Sequence, residues 1–249
     1  MQHFGIIGKS LKHSFSEKFF SEKFDRENLN DCLYREFEID NINEIADLIK
    51  NNKFLRGLNV TIPYKKEVVA LMDFISPEAV ATQAVNTIRI ERRNGIRLSG
   101  YNTDIDGFSA TLETVPETIS MKALVLGNGG AAAAIKYVLH DREIPFLTVS
   151  RNQSDETIAF EHISDAQVAE YKLIINCTPA GMFPNTSEFP PLPYQLIGSK
   201  HILIDLIYNP KITIFLQKGS SNGAKIINGM KMLSAQAEAA WRIWRDEDK

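Results

Sequence analysis

Gly127, Gly129 and Gly130 stand between a short apolar run and an alanine-rich one in the segment Lys122–Asp141, KALVLGNGGAAAAIKYVLHD. That order reads as strand, tight turn, helix. Such a turn lets backbone N–H groups approach a pyrophosphate at a helix N-terminus, where the helix dipole favours negative charge. Gly127, Gly129 and Ala132 fit the G-x-G-x-x-G/A spacing of dinucleotide sites. Glycine turns also join ordinary βα units, but here both flanks are the ones the phosphate-binding turn requires.

The nucleotide follows from the next strand tip. In this pattern an acidic residue about 20 positions beyond the glycines holds a ribose 2′-hydroxyl. Here Phe146–Val149 runs into Ser150-Arg151-Asn152, with no carboxylate at the tip, although Asp155 and Glu156 follow. A guanidinium suits a 2′-phosphate, so the expected cofactor is NADP rather than NAD. The alternative is a solvated surface arginine.

Other segments carry polar groups at spacings that suit a small anionic ligand. Ser14 and Ser16 follow His13 and precede a helix-like run. They could clasp a carboxylate beside free helix N–H groups. Ser14 with Glu17 also fits a capping box. Asn59 and Thr61 are two apart and share a strand face. Pro63 suits the first turn of a helix, and Lys65 would lie near that strand tip, with Lys66 the solvated member of the pair. Asp104, in Asn102-Thr103-Asp104, could be an acid/base partner; equally, Asp104 or Thr103 could cap the next helix. Asn176–Met182, which contains Thr178, ends a strand close to the glycine turn and could support a nicotinamide. Tyr208 could offer a hydroxyl or cover the core rim. Gln236 is a lone polar residue among alanines, suited to ligand, helix pairing or solvent.

These residues need a scaffold, and strand and helix signals alternate along the whole chain. Strands are expected at Phe4–Gly8, Tyr34–Ile39 and Leu55–Ile62, and helices over Phe15–Glu27, Ile42–Asn51 and Lys65–Phe74. Ala84–Glu91 and Ile96–Tyr101 flank Asn94-Gly95, a hairpin signal because the turn needs positive φ. A helix is expected over Asp106–Val115. From Lys122 the expected strands are Ala123–Leu126, Phe146–Val149, Leu173–Asn176, Ile202–Leu206 and Lys225–Ile227. Their continuous β-branched runs suit buried parallel strands. Phe183–Pro193 is proline-rich and reads as a loop. From Met230 the pattern is helical, with Leu233, Ala237, Ala240, Trp241 and Trp244 on one stripe. The fold class is therefore α/β: an N-terminal mixed βα domain, residues 1–103, and a doubly wound parallel-sheet (Rossmann) domain, residues 104–229.

Composition narrows the function classes. The chain has 249 residues, 44% hydrophobic and 24% charged, an ordinary globular balance. A net charge of −3 implies no general nucleic-acid affinity. No apolar run approaches the roughly 18 residues of a membrane span, and no secretory signal is visible in MQHFGIIGKS. Cys32 and Cys177 make no zinc spacing, and the five histidines form no i, i+4 pair. No metal site is expected, and a reducing cytoplasm is the simplest setting.

Taken together and in order, GKSLKHSFS, NVTIPYK, AVNTI, GYNTDIDG, GNGGAAAA, SRN, NCTPAGM, DLIYNP and NGMKMLSAQA resemble the shikimate dehydrogenases, from Gly8 to Ala237. The resemblance implies an N-terminal substrate domain, an NADP-binding Rossmann domain and a final helix, 230–249, returning to the first domain. It implies reversible reduction of 3-dehydroshikimate to shikimate, in aromatic amino-acid synthesis. By that similarity Ser14 and Ser16 would bind the substrate carboxylate with help from Tyr208. Thr61, Asn86, Lys65, Asp104 and Gln236 would hold the ring hydroxyls, with Asn59 among the substrate residues and Lys65 with Asp104 the catalytic pair. Gly127, Asn128, Gly129, Gly130 and Ala131 would cradle the pyrophosphate, and Ser150, Arg151 and Asn152 the adenosine phosphate. Thr178, Ile207, Gly229 and Met232 would line the nicotinamide. Lysine is charged at neutral pH and a carboxylate reinforces that. Lys65 is therefore expected mainly as a charged hydrogen-bond donor to the developing alkoxide, oriented by Asp104. The chain departs from the pattern with Glu17 where proline is usual after the second serine, and with Ser-Arg-Asn where Asn-Arg-Thr is common. The alternatives are a dehydrogenase of broader specificity that also takes quinate, and a non-catalytic NADP-binding protein on the same fold. The expected partners are a small-molecule substrate and no nucleic acid or membrane, in a monomer or homodimer.

Overall fold

The computed structural model describes residues 1–11, 14–93 and 95–246. His13 of the serine segment, Asn94 of the expected hairpin turn and the last three residues of the expected C-terminal helix lie outside them. The chain divides into two compact units, 1–103 with 236–249, and 104–235.

The first unit is a six-stranded mixed sheet. Its strands are β1 (Gln2–Gly8), β2 (Cys32–Glu38), β3 (Leu55–Val60), β4 (Phe74–Ile75), β5 (Thr87–Glu91) and β6 (Arg97–Tyr101), in the order β2-β1-β3-β5-β6-β4. β1 pairs in parallel with β2 and β3, β5 runs antiparallel to both β3 and β6, and β4 pairs in parallel with β6. The β5–β6 connection contains Gly95 at φ +100°, the left-handed region that glycine enters without strain. Helices α1 (Ser16–Arg26), α2 (Ile45–Asn51) and α3 (Pro77–Thr82) complete the unit. α3 begins at Ser76, whose side chain accepts from the Ala79 amide, with Pro77 in its first turn.

The expected helix over Lys65–Phe74 does not form. Residues 67–71 make one 3₁₀ segment, and Phe74–Ile75 then pair with Ser99–Gly100 of β6. Asp73 secures that pairing, its backbone amide donating to Leu98 O at 2.9 Å and its carboxylate accepting from the Leu98 amide at 2.7 Å. Sheet pairing overrides the local helical pattern there. The expected strand from Ala84 begins at Thr87, because Val85 N is drawn to Lys65 O.

The second unit carries β7 (Ala123–Leu126), β8 (Phe146–Ser150), β9 (Thr157–Ala159), β10 (Leu173–Asn176), β11 (Ile202–Asp205) and β12 (Lys225–Ile227). All are parallel, in the order β12-β11-β10-β7-β8-β9. Its helices are α4 (Asp104–Leu112), α5 (Gly130–Asp141), α6 (Asp165–Glu170) and α7 (Ile214–Ser221). Alternate strand residues bury on opposite faces, as the two-residue strand period demands. Ala123, Val125, Ile175 and Ile204 pack with Phe108, Ile135 and Leu139; Leu124, Leu126, Ile174 and Leu203 pack with Val168, Phe215 and Leu216. This is the doubly wound arrangement expected from the buried runs.

The last helix, α8 (Met230–Arg245), is shared between the units, and the division falls between Ala235 and Gln236. Met232 belongs to the core of the second unit. Ala237, Ala240, Trp241 and Trp244 belong to the aromatic core of the first, with Phe4, Phe20, Phe24 and Tyr34. The Trp244 indole donates to Ile88 O at 3.0 Å. Buried Lys23 bridges Glu27 and Glu238, each at 2.7 Å. No helix among the described residues is long and apolar enough to cross a membrane.

Candidate active site

A buried polar network crosses the first unit. Ser16, at the start of α1, is hydrogen-bonded to the Tyr34 phenol on β2. That phenol donates to Asn59 Oδ1 on β3 at 2.8 Å. Asn59 Nδ2 donates to Thr87 Oγ1 at 3.3 Å, and Thr87 Oγ1 donates to Asn86 Oδ1 at 3.0 Å. Asn86 Oδ1 also accepts from the Thr103 amide at 2.7 Å, and Thr103 Oγ1 lies 3.4 Å from Gln236 Oε1 on α8. Ser16, Asn59, Asn86 and Gln236 are thus brought into one connected set. Asn59 spends its amide within that set. Asn86 fixes the backbone at Thr103, the residue before Asp104.

The capping box expected from Ser14 and Glu17 is absent. α1 starts one residue after Phe15, which makes no side-chain cap. Ser14 Oγ accepts from the Ser16 amide at 3.3 Å and is hydrogen-bonded to Glu36. Burial pushes the Glu36 carboxyl up, the Ser14 bond lowers it, and the charges of Glu17 and Glu38 raise it further. The serines therefore sit in an acidic neighbourhood that includes the unusual Glu17.

Thr61 and Lys65 lie on the turn after β3 and are half-buried, whereas Lys66 is exposed. The turn is pinned by Thr61 N to Ile7 O at 3.0 Å and by Val85 N to Lys65 O at 2.8 Å. The buried Tyr64 hydroxyl donates to Ile39 O at 2.7 Å. In the second unit Asp104 is buried as the first residue of α4, so it opens that helix two residues before the expected start and is not its N-cap. A carboxylate there is favoured by the helix dipole.

The glycine turn has the shape its spacing implies. Gly127 sits at φ +105°, and a Cβ there would stand 3.1 Å from Thr178 and 3.3 Å from Cys177. Gly129 faces open space and begins α5 with no side-chain cap. The first amides of α5 lack intrahelical partners, and the N-cap Gly129 has no side chain to occupy them. Asn128 accepts from Lys136 Nζ at 2.8 Å, which brings a cation to the turn. At the tip of β8 the Ser150 hydroxyl donates to Asn152 O, while Arg151 and Asn152 are exposed. An open helix start, a close-approach glycine and exposed guanidinium fit a pyrophosphate and an added phosphate.

At the tips of β10 and β11, Asn176 Oδ1 accepts from the amide and hydroxyl of Thr178 at 3.0 and 2.7 Å. Asn176 Nδ2 donates to Asp205 Oδ1 at 3.0 Å, and Ile207 N donates to the same oxygen at 3.1 Å. Gly229 N donates to Ile207 O at 3.0 Å, and a Cβ on Gly229 would stand 2.0 Å from Leu206 O. Thr178, Ile207 and Gly229 are thus tied together; Met232 is buried and Tyr208 half-buried. Among the described residues no group of His, Cys, Asp or Glu could hold a metal ion.

Sequence alone does not single out Tyr34, Glu36, Thr87 or Asp205. Tyr34 and Thr87 read as ordinary strand residues. The signal for Asp205 is a single acid inside an otherwise apolar run, Ile202–Ile207.

Known proteins share this sequence pattern and this fold. The description "Shikimate dehydrogenase substrate binding domain" matches residues 6–88. A shikimate dehydrogenase (NADP(+)) from Clostridium beijerinckii is 38% identical over 256 residues, covering 99% of this chain and 93% of its own. The crystal structure of shikimate dehydrogenase 1 from Peptoclostridium difficile superposes with a TM-score of 0.83 at 36% identity, over 99% and 92% of the two chains. That of the Thermus thermophilus shikimate 5-dehydrogenase in complex with NADP(H) and shikimate gives 0.86 at 28% identity, over 99% and 94%. Near-complete coverage in sequence and in fold, together with the phosphate-ready turn and the buried polar set, places the chain in the shikimate dehydrogenase family.

Proposed function

We propose that the chain catalyses the reversible NADPH-dependent reduction of 3-dehydroshikimate to shikimate, a step of aromatic amino-acid biosynthesis. The observation that carries this reading is the connected set Ser16–Tyr34–Asn59–Thr87–Asn86–Thr103–Gln236. It spans the first unit with polar groups held for a ligand that has a carboxylate at one end and hydroxyls at the other. Residues 1–103, with the final helix 230–249, serve as the substrate domain, and residues 104–229 as the dinucleotide-binding domain.

Bound NADPH supplies a hydride for the ketone carbon. Ser14 and Ser16 receive the substrate carboxylate, assisted by Tyr208. Asn59 backs the site, and Thr61, Asn86 and Gln236 fix the ring through its hydroxyls. Lys65 donates a hydrogen bond to the developing alkoxide oxygen and then its proton; Asp104 orients the ammonium. Gly127, Asn128, Gly129, Gly130 and Ala131 hold the pyrophosphate through backbone amides. Ser150, Arg151 and Asn152 hold the adenosine phosphate, and Thr178, Ile207, Gly229 and Met232 the nicotinamide. The enzyme works in the cytoplasm as a monomer or homodimer.

The test is the loss of NADPH absorbance on adding 3-dehydroshikimate, with NADH in parallel. The reverse reaction is measured with shikimate and with quinate. Turnover with NADPH and 3-dehydroshikimate is the expected result. Purified protein that binds NADPH yet leaves it unoxidised would overturn the catalytic reading.

A further inference from the structure

Asp205 is fully buried, and its carboxylate is used by three different segments. Oδ1 accepts from Asn176 Nδ2 at the tip of β10 and from Ile207 N just past β11. Oδ2 accepts from Thr213 Oγ1 at 2.6 Å, and Thr213 in turn caps α7 through the Leu216 amide. Asn176 orders Thr178, which lies against Gly127; Ile207 orders Gly229. A strap of bonds therefore joins the carboxyl ends of β10 and β11, with Asp205 at its centre, and Thr178 packs it against the glycine turn after β7.

In doubly wound sheets, ligands lie outside the carboxyl ends of the strands. The glycine turn follows β7, and the cationic Arg151 marks the β8 side for the adenosine phosphate. The other half of a dinucleotide must then extend over β10 and β11, where the strap lies. We propose that Asp205 is a positioning residue: its buried carboxylate sets the loops after β10 and β11 at the spacing that receives the nicotinamide half of the cofactor. This rests on the reading that the chain binds NADP(H).

The electrostatics agree with a carboxylate kept for its hydrogen bonds. Burial pushes the Asp205 carboxyl up to about 6, and the bonds from Thr213, Ile207 and Asn176 hold it down in part. Burial, and after it the Asp205 charge, raise the Cys177 thiol and the Tyr194 phenol; Lys136 lowers Cys177. An isolated buried carboxylate with no such partners would be strongly disfavoured.

The experiment compares two ligands. NADPH uses both halves of the site, whereas 2′,5′-ADP uses only the adenosine half. Calorimetric titration of Asp205→Ala is expected to show NADPH weakened by about tenfold or more, with 2′,5′-ADP unchanged. Asp205→Asn keeps one carbonyl oxygen for Asn176 and Ile207. It is expected to weaken NADPH by about threefold, again sparing 2′,5′-ADP. The asparagine variant decides alone if the alanine variant does not fold. NADPH binding equal to wild type in that variant, or equal weakening of both ligands, would overturn the proposal. Wild-type protein that binds neither ligand would instead refute NADP binding itself.

Discussion

The phenol of Tyr34 donates to Oδ1 of Asn59 at 2.8 Å, and both side chains are buried. The ring stacks on Phe20 with centroids 4.5 Å apart, so aromatic packing holds the ring while the hydroxyl links Ser16 to β3. Tyr34→Phe should keep the packing and remove the link. Leaving Asn59 Oδ1 without that donor should cost about 1–3 kcal/mol. The urea midpoint should fall with an unchanged m-value, and KM for shikimate should rise as Ser16 loses its anchor.

Lys65 is proposed to act on the transition state more than on the ground state. Lys65→Ala should lower kcat by about 10²–10³-fold while KM for shikimate changes by less than about tenfold. Steady-state kinetics with shikimate check this. A kcat near wild type with a steep rise in KM would make Lys65 a binding residue only.

Arg151 is exposed at the tip of β8. If it holds the adenosine phosphate, Arg151→Ala should raise KM for NADPH by about 10–100-fold and leave KM for NADH unchanged. Parallel titrations of the two cofactors measure the ratio directly. An equal change for both would remove Arg151 from the phosphate site.

The Asp205 carboxyl is raised from 3.8 to about 6 in the folded chain. Between those values the native state binds more protons than the unfolded one, so stability falls as pH rises through the window. The contribution is flat above about pH 7 and grows on acidification, up to about 3 kcal/mol. Tm of wild type minus Tm of Asp205→Asn should therefore increase as the buffer is taken from pH 7 to pH 5. A constant difference across that range would show that the group does not titrate there.

Gly57 lies under the last helix, and a Cβ there would stand 2.3 Å from the Trp244 indole nitrogen. Gly57→Ala should displace that indole and break its bond to Ile88 O. The expected loss is about 2–4 kcal/mol, read by thermal unfolding together with a shift in tryptophan emission.

Much of this was legible in the residues, for reasons that differ by segment. The parallel sheet shows because β7, β10 and β11 bury both faces and so read as unbroken apolar runs. The glycine turn shows because only glycine tolerates both φ +105° and the close approach of Thr178. Lys65–Phe74 misleads because its helical pattern is local, whereas Asp73 and Phe74 are claimed by β6, more than twenty residues further along the chain. Tyr34 and Asp205 stay hidden because burial of a polar group is decided by what folds over it. The capping box at Ser14 fails for a related reason: the hydroxyl finds Glu36 on a neighbouring strand.

The aromatic core of the first unit takes Phe4 and Phe20 from the beginning of the chain and Trp241 and Trp244 from its end. Residues 104–235 are contiguous and hold everything their own sheet needs. During synthesis the earlier segment therefore emerges ahead of residues 104–235 yet waits for the two indoles, which follow them. The later segment already has its full complement of strands by then, so birth order and the order of completion run opposite ways.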